Sequence, residues 1–235
     1  MKFINNIIEP DILYLVWQAG ISTPGERTNR IVGELIRNND IVNLRYCVER
    51  DSFKEAYYKY SFQGYMPYDI RKEPHLDVME VFSRRLVSKK RSDYVKYLES
   101  IRINSNIAMS DFSLLGYSEG RVDGDRFSII NPFTNIRKNV QFLTKVVGVN
   151  YVFNKRSPIY IDDIVILKKE KENAFDKNAL AIIYNGEKIG YINRILAPQL
   201  NMWLDEAKVQ ATIEKVIKTD ESIKIYLYID INYNI

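Results

Sequence analysis

The stretch KENAFDKNALAIIYNGEKIGYINR, residues 171–194, gathers the side chains of this chain best suited to holding a ligand. Asn173, Phe175 and Asp176 crowd a polar turn ahead of an apolar run, and Tyr191 and Arg194 close its partner run. An amide, a ring, a carboxylate and a guanidinium at that spacing make either ordinary turn chemistry or a surface that holds something.

Covalent chemistry finds little support elsewhere. His75 is the single histidine. His75-Leu76-Asp77 mimics the start of a kinase catalytic loop, but Phe82 stands where that loop needs Asn, so a helix start is the preferred reading. A catalytic triad would rest on the lone His75 and is a weak reading, and there is no paired Cys/His metal spacing and no phosphate-cradling glycine loop after a strand. Asp162, Asp163, Glu170, Glu172 and Asp176 form a carboxylate cluster that could hold a divalent ion; solvated strand ends are preferred. On this negative ground the expectation is a non-enzymatic binding protein, with no catalytic residues, metal or cofactor.

The 235 residues suffice for one large or two small domains, and 46% hydrophobic with 27% charged residues is a globular composition. No apolar run reaches the roughly 18 residues that span a bilayer. Glu9, Pro10 and Asp11 interrupt the N-terminal apolar stretch, so no signal-peptide pattern stands there. Cys47 is the single cysteine and reads as a buried small hydrophobe. A cytoplasmic location without membrane contact is expected. Net charge is +4: residues 1–138 hold 21 Lys/Arg against 18 Asp/Glu, and residues 139–235 hold 13 against 12. Proteins that grip long duplexes through many phosphates carry more, so any nucleic-acid site is small and local. The 17 tyrosines offer flat faces and hydroxyls to such a site.

Two segments must position these residues, 1–138 and 139–235. In the first, 12–18, 30–37 and 42–49 read as strands, with a polar loop at 22–29 and a hairpin signal at Asn38-Asn39-Asp40. Helices are expected over 53–60, capped by Asp51 or Ser52 with Glu55 in a capping box, over 76–86, over 91–103 with Ser92 as cap, and over 110–120 with a glycine stop. A short extended piece, 126–133, follows. In the second segment, 140–152 reads as one long strand, and 163–170, 179–185 and 188–193 as shorter ones. Asn185-Gly186 is the strongest hairpin signal in the chain. A helix over 195–207 with Pro198 in its first turn precedes two strands around Thr219-Asp220-Glu221-Ser222. Five or six strands with one main helix suggest a small β-barrel.

The ordered series Val147-Gly148-Val149-Asn150-Tyr151, VILKKEKENAFDKNALAI and KIGYINRILAPQL resembles the HIRAN domain over about residues 140–232. The resemblance implies an OB-like barrel that captures the 3′ end of single-stranded DNA, as in eukaryotic fork-remodelling helicases. Carried over position by position, it makes Phe175 and Tyr151 stacking faces and Asp176, with Asn173, a reader of the sugar end. Tyr191 takes the place of the histidine in the helicase G-H-[IL] strand, and Arg194 becomes a phosphate contact. Asn150 stands where the helicase versions have Arg, and Ala174 where they have Pro. For Asn178 and Gly190 a structural role is preferred.

VFSRRLVSKKRSDYVKYLESIRI, with Phe82, Arg84, Arg85, Leu86, Arg91, Tyr94 and Leu98, resembles the N-terminal lobe of HipA-type kinases without the kinase core. That implies a subunit docking on a separate HipA-like kinase, in the manner of an antitoxin, or a lobe reused beside a nucleic-acid domain. Arg84, Arg85, Lys89, Lys90 and Arg91 are candidate auxiliary phosphate contacts, against a solvated helix end.

The expectation is therefore an α+β protein, a mixed strand and helix lobe followed by an OB-like HIRAN barrel, that binds single-stranded DNA or DNA 3′ ends. A kinase-regulating interaction subunit is the alternative. A metal-dependent nuclease or defence effector is the weaker one.

Overall fold

The computed structural model describes residues 2–20, 28–153, 158–219 and 222–233. Its class is α+β, as expected, with two antiparallel sheets in two compact units. No helix among the described residues is long and apolar enough to cross a membrane.

One unit comprises Ile8–Ile101 and Ser105–Pro132. Its strands are β1 (Ile12–Trp17), β2 (Arg30–Asn38), β3 (Ile41–Tyr46) and β4 (Phe127–Ile130), in the order β3-β2-β1-β4. The expected hairpin turns at Asn39, whose φ of 55° is one that Asn tolerates. Of the expected loop at 22–29, residues 22–27 lie outside the described residues. Leu13, Leu15, Leu35, Leu44, Phe62 and Phe82 centre the core.

The helices here are shorter than their sequence patterns. The segment after β3 forms α1 (Asp51–Lys54) and then a π-helical turn (Glu55–Lys59). Ser52 does not cap it, because its hydroxyl donates to Ile31 O at 2.8 Å, and Glu55 pairs with Arg30 at 3.1 Å. The expected helix at 76–86 contracts to α2 (Met79–Ser83), because the main chain of His75 is bonded to Leu44 and that of Val78 to Val42 of β3, with Asp77 between them at φ 49°. His75 bridges Leu44, and its Nε2 lies 2.9 Å from Asp69 O, so its role is structural. The next helix is α3 (Tyr94–Ser100), without the side-chain cap expected from Ser92. The helix at 110–120 forms as expected, as α4 (Asp111–Ser118). The Ser110 hydroxyl accepts from Ser113 N at 3.0 Å, and Glu119 and Gly120 end the helix at positive φ.

The other unit joins the chain up to Ile7, Arg102–Asn104 and everything from Phe133 onward. Its strands are β5 (Val140–Lys145), β6 (Ile164–Lys169), β7 (Leu180–Tyr184), β8 (Glu187–Tyr191), β9 (Lys208–Lys218) and β10 (Ile223–Asn232). The order is β5-β10-β9-β6-β7-β8. The two outer strands then meet: Val147, just past β5, and Tyr191, at the end of β8, exchange both main-chain hydrogen bonds at 2.9 Å. The sheet thereby closes on itself as a small barrel. On β10, Ile223, Ile225, Leu227, Ile229 and Ile231 are all buried, the inward half of a period-2 pattern. The helix α6 (Ala197–Glu206) brings Trp203 against Phe133 and Phe142, with its indole N–H donated to Ile136 O at 2.7 Å.

The long strand expected over 140–152 is corrected. It stops at Lys145, and Gly148, at φ 75°, turns the chain into α5 (Val149–Val152). β-branched residues gave 146–152 its strand-like look, but the closing bridge and the glycine decide the path. The hairpin at Asn185-Gly186 forms with φ of 49° and 81°, the two positive angles of a type I′ turn. Asp220 and Glu221 of the last turn lie outside the described residues; Thr219 N donates to Ser222 O at 2.8 Å across it.

The first residues belong to the barrel. Ile4 N donates to Arg102 O at 2.7 Å, the Gln141 side chain accepts from Asn5 N at 2.8 Å, and the Tyr228 hydroxyl donates to Phe3 O at 3.0 Å. The Arg102 guanidinium is bonded to the buried carboxylate of Glu214.

Candidate binding site

The polar turn between β6 and β7 is built by Asn173. Its side-chain oxygen accepts from Phe175 N at 3.0 Å and Asp176 N at 3.1 Å, and its amide donates to Glu170 Oε2 at 3.0 Å. Asp176 repeats the device, accepting from Asn178 N at 2.9 Å. These are side chain to main chain turn closures of the kind Asn and Asp make. Their result is that Phe175 stands outside the turn, its residue 94% exposed. An aromatic ring so held has no packing role to explain it.

Gly190 and Tyr191 have separate tasks in β8. Gly190 has φ 150°, and a Cβ there would lie 2.5 Å from Val146 Cγ1 and 2.6 Å from Val147 O. Only glycine lets β8 approach the end of β5 closely enough to close the barrel. Tyr191 then lies over the seam, and its hydroxyl is 3.1 Å from Glu170 Oε2 and 2.7 Å from Lys188 Nζ. Lys188 also donates to Glu170 Oε1 at 2.8 Å and sits 4.8 Å from the centre of the Tyr191 ring. The Lys188 ammonium, with help from Asn173 and Tyr191, holds the Glu170 carboxyl below its ordinary value of 4.5. Reciprocally, Glu170 and the Tyr191 hydroxyl raise Lys188 above 10.5.

The helix α5 is set beside this network by the same seam. Tyr151 N donates to Gly148 O at 3.0 Å, and Asn150 Oδ1 accepts from Ile223 N at 3.0 Å, tying α5 to β10. Tyr151 is 83% exposed. A continuous set of contacts thus runs from Tyr151 through Gly148 and Tyr191 to Glu170, Asn173 and Phe175. Arg194 follows β8 and is exposed, with no hydrogen bond or ion pair among the described residues.

The structure therefore brings together Asn150, Tyr151, Asn173, Phe175, Asp176 and Tyr191, but it divides their work. Asn150 and Asn173 use their side-chain oxygens inside the fold. Tyr151 and Phe175 present open rings. Sequence reasoning passed over Lys188 and saw Glu170 only as part of a carboxylate cluster. The signal for both was register: the hairpin at Asn185-Gly186 sets Lys188 opposite Ile183 and Tyr191 opposite Ala181, near Glu170, the residue just past β6. The cluster itself does not assemble, and no group of three or more His, Cys, Asp or Glu among the described residues could hold a metal ion. Asp163 accepts from the Tyr184 hydroxyl at 2.5 Å instead.

The auxiliary basic residues are mostly engaged. Arg85 is corrected outright: it is 9% exposed, with a bidentate pair to Asp125 at 2.5 and 3.0 Å and further bonds to Gly120 O, Phe127 O and the Tyr65 hydroxyl. Burial with five hydrogen bonds to four residues makes it a structural residue rather than a phosphate contact. Arg84 pairs with Glu80 at 2.7 Å, Lys89 with Asp111 at 2.7 Å and Arg91 with Asp93 at 2.7 Å. Lys90 is exposed.

The HIRAN domain family matches residues 140–233, the span that holds this barrel and site. That match does not extend to the N-terminal residues that resemble the HipA lobe. Among solved structures, the HIRAN domain of human HLTF is 21% identical, with a TM-score of 0.33, over 39% of this chain and 74% of that one. A protein from Lactobacillus plantarum is 19% identical, with a TM-score of 0.32, over 40% of this chain and 99% of that one. No curated protein matches the chain.

Proposed function

We propose that the barrel is a non-enzymatic module that binds single-stranded DNA at an end. One observation carries this reading: two rings, Tyr151 and Phe175, are held almost fully exposed at opposite ends of one connected set of contacts. Exposed rings serve sequence-tolerant stacking, because every base has a π-face. Arg194 supplies a cation for a phosphate, and the carboxylate of Asp176 an acceptor for a sugar hydroxyl. The HIRAN match over 140–233 supports the same reading. The near-neutral charge of residues 139–235 suits a contact of few phosphates.

The test is binding of fluorescent single strands at low salt, with 3′-hydroxyl and 3′-phosphate ends, to wild type and to Phe175→Ala/Asp176→Ala. The double variant should lose at least about fivefold, since one stacked base contributes about 1–3 kcal/mol. Wild type should favour the free hydroxyl. Tight binding indifferent to both changes would sink end capture.

A further inference from the structure

Antiparallel register fixes what lies beside the end site. Ile166 is opposite Ile183, and Lys168 opposite Ala181; Ile183 is opposite Lys188, and Ala181 opposite Tyr191. Opposed residues share a face of a sheet, so two rows cross β6, β7 and β8: Ile166-Ile183-Lys188 and Lys168-Ala181-Tyr191. Ile166 and Lys168 are exposed while Ile182, Ile189 and Leu180 point the other way, so these rows are the barrel's outside, with the small Ala181 itself covered. The second row ends in Tyr191 and is continuous with the turn that carries Phe175.

Two features mark this face. Ile164 and Ile166 alternate on β6 and are 64% and 66% exposed, on a strand whose Val165 is buried. Lys168, next on that face, is exposed and has no ion pair among the described residues. The strip begins at the aromatic end site, carries a free cation, and reaches Asp162 and Asp163 only at the far end of β6.

Resting on the reading above, we infer that the strand does not stop at the end pocket: nucleotides upstream of the bound end continue along the outer face of β6, over Lys168, Ile166 and Ile164. The isoleucines offer apolar contact to sugars and base edges, and Lys168 the charge for phosphates. From Glu170 to Ile164 is about 20 Å of strand, the rise of about six stacked nucleotides. The carboxylates of Asp162 and Asp163 repel phosphate and mark where the track ends.

The experiment compares dT3 and dT10, each with a free 3′ end, by fluorescence anisotropy with wild type and with Ile166→Thr/Lys168→Gln. Threonine keeps β-branching, so the strand is preserved; thermal melting checks the fold. Wild type should bind dT10 at least about fivefold more tightly than dT3, as even one added contact of about 1 kcal/mol implies. The variant should bind dT3 as wild type does and lose most of the length gain. Equal affinity for dT3 and dT10 in wild type overturns the track and leaves the end site standing. A length gain that survives in the variant is a matter of binding registers and also overturns it. Failure of wild type to bind either oligonucleotide overturns the end site and the track together.

Discussion

Gly190 lies so close to Val146 that a methyl group on its Cα would sit 2.5 Å from Val146 Cγ1. That approach lets the next residue, Tyr191, bond back to Val147 and close the barrel. The packing that closes the fold also places the candidate site, since Tyr191 and α5 meet there.

Gly190→Ala should therefore destabilise the barrel by about 3 kcal/mol, from the clash and from a φ of 150° that alanine avoids. Urea unfolding of the whole chain, followed through Trp203, reads this. A midpoint equal to wild type would mean the seam is dispensable.

Phe175→Ala should separate binding from stability. The ring is exposed and packs on nothing, so unfolding should shift by less than about 0.5 kcal/mol. Affinity for single-stranded DNA should fall about 5- to 150-fold, the equivalent of one stacked base. A destabilised protein with intact affinity would reverse the assignment.

Asn173→Ala removes three hydrogen bonds at once and should cost about 1–2 kcal/mol. Because it frees the turn that presents Phe175, it should weaken DNA binding as well. Asn173→Asp keeps the two acceptor bonds but sets a second carboxylate against Glu170, so it should recover only part of both losses. If the aspartate restores stability but no affinity, the amide itself contacts DNA.

The Glu170–Lys188 pair gives a pH signature. Glu170 titrates lower in the folded state than its ordinary 4.5, chiefly because Lys188 donates to it. Its stabilisation is thus present above 4.5 and lost as the pH falls through the folded value. Lys188 moves upward from 10.5, so its share is present below 10.5 and lost as the pH rises through its folded value. Across the neutral range the pair is intact. Glu170→Gln should flatten the acid limb of the stability curve, measured as urea midpoints from about pH 3 to 7. Parallel curves for the two proteins would rule the pair out as a source of acid sensitivity.

Arg85→Met should destabilise the four-stranded unit by about 3 kcal/mol, because it leaves two carbonyls and Asp125 without their donor. DNA affinity, measured where the variant is still folded, should not change. A specific loss of affinity would restore Arg85 to the interface.

The hairpin, α6 and the barrel strands were legible in the sequence because each carries a local signal: Asn185-Gly186, Pro198, and alternation ending in turn residues. The HIRAN resemblance was legible from residues in fixed order. What escaped depends on partners far along the chain. Val146–Val152 looks like strand until β8 crosses it. Arg85 looks like one of a basic run until Asp125 and Gly120 surround it. His75–Val78 looks like a helix start until its main chain bonds to Leu44 and Val42 of β3. Lys188 carries no motif at all; only the pairing of β7 with β8 sets it beside Glu170.

Ile4, Asn5 and Phe3 find their partners on Arg102, Gln141 and Tyr228. The barrel is thus a discontinuous unit, with the four-stranded unit inserted between its first and later pieces. During synthesis the inserted unit can finish folding once residue 132 is clear, whereas Phe3 waits for its partner until Tyr228 on β10 is made. A chain stalled before Tyr228 would hold one folded unit and an open one, with the carbonyl of Phe3 still without its donor.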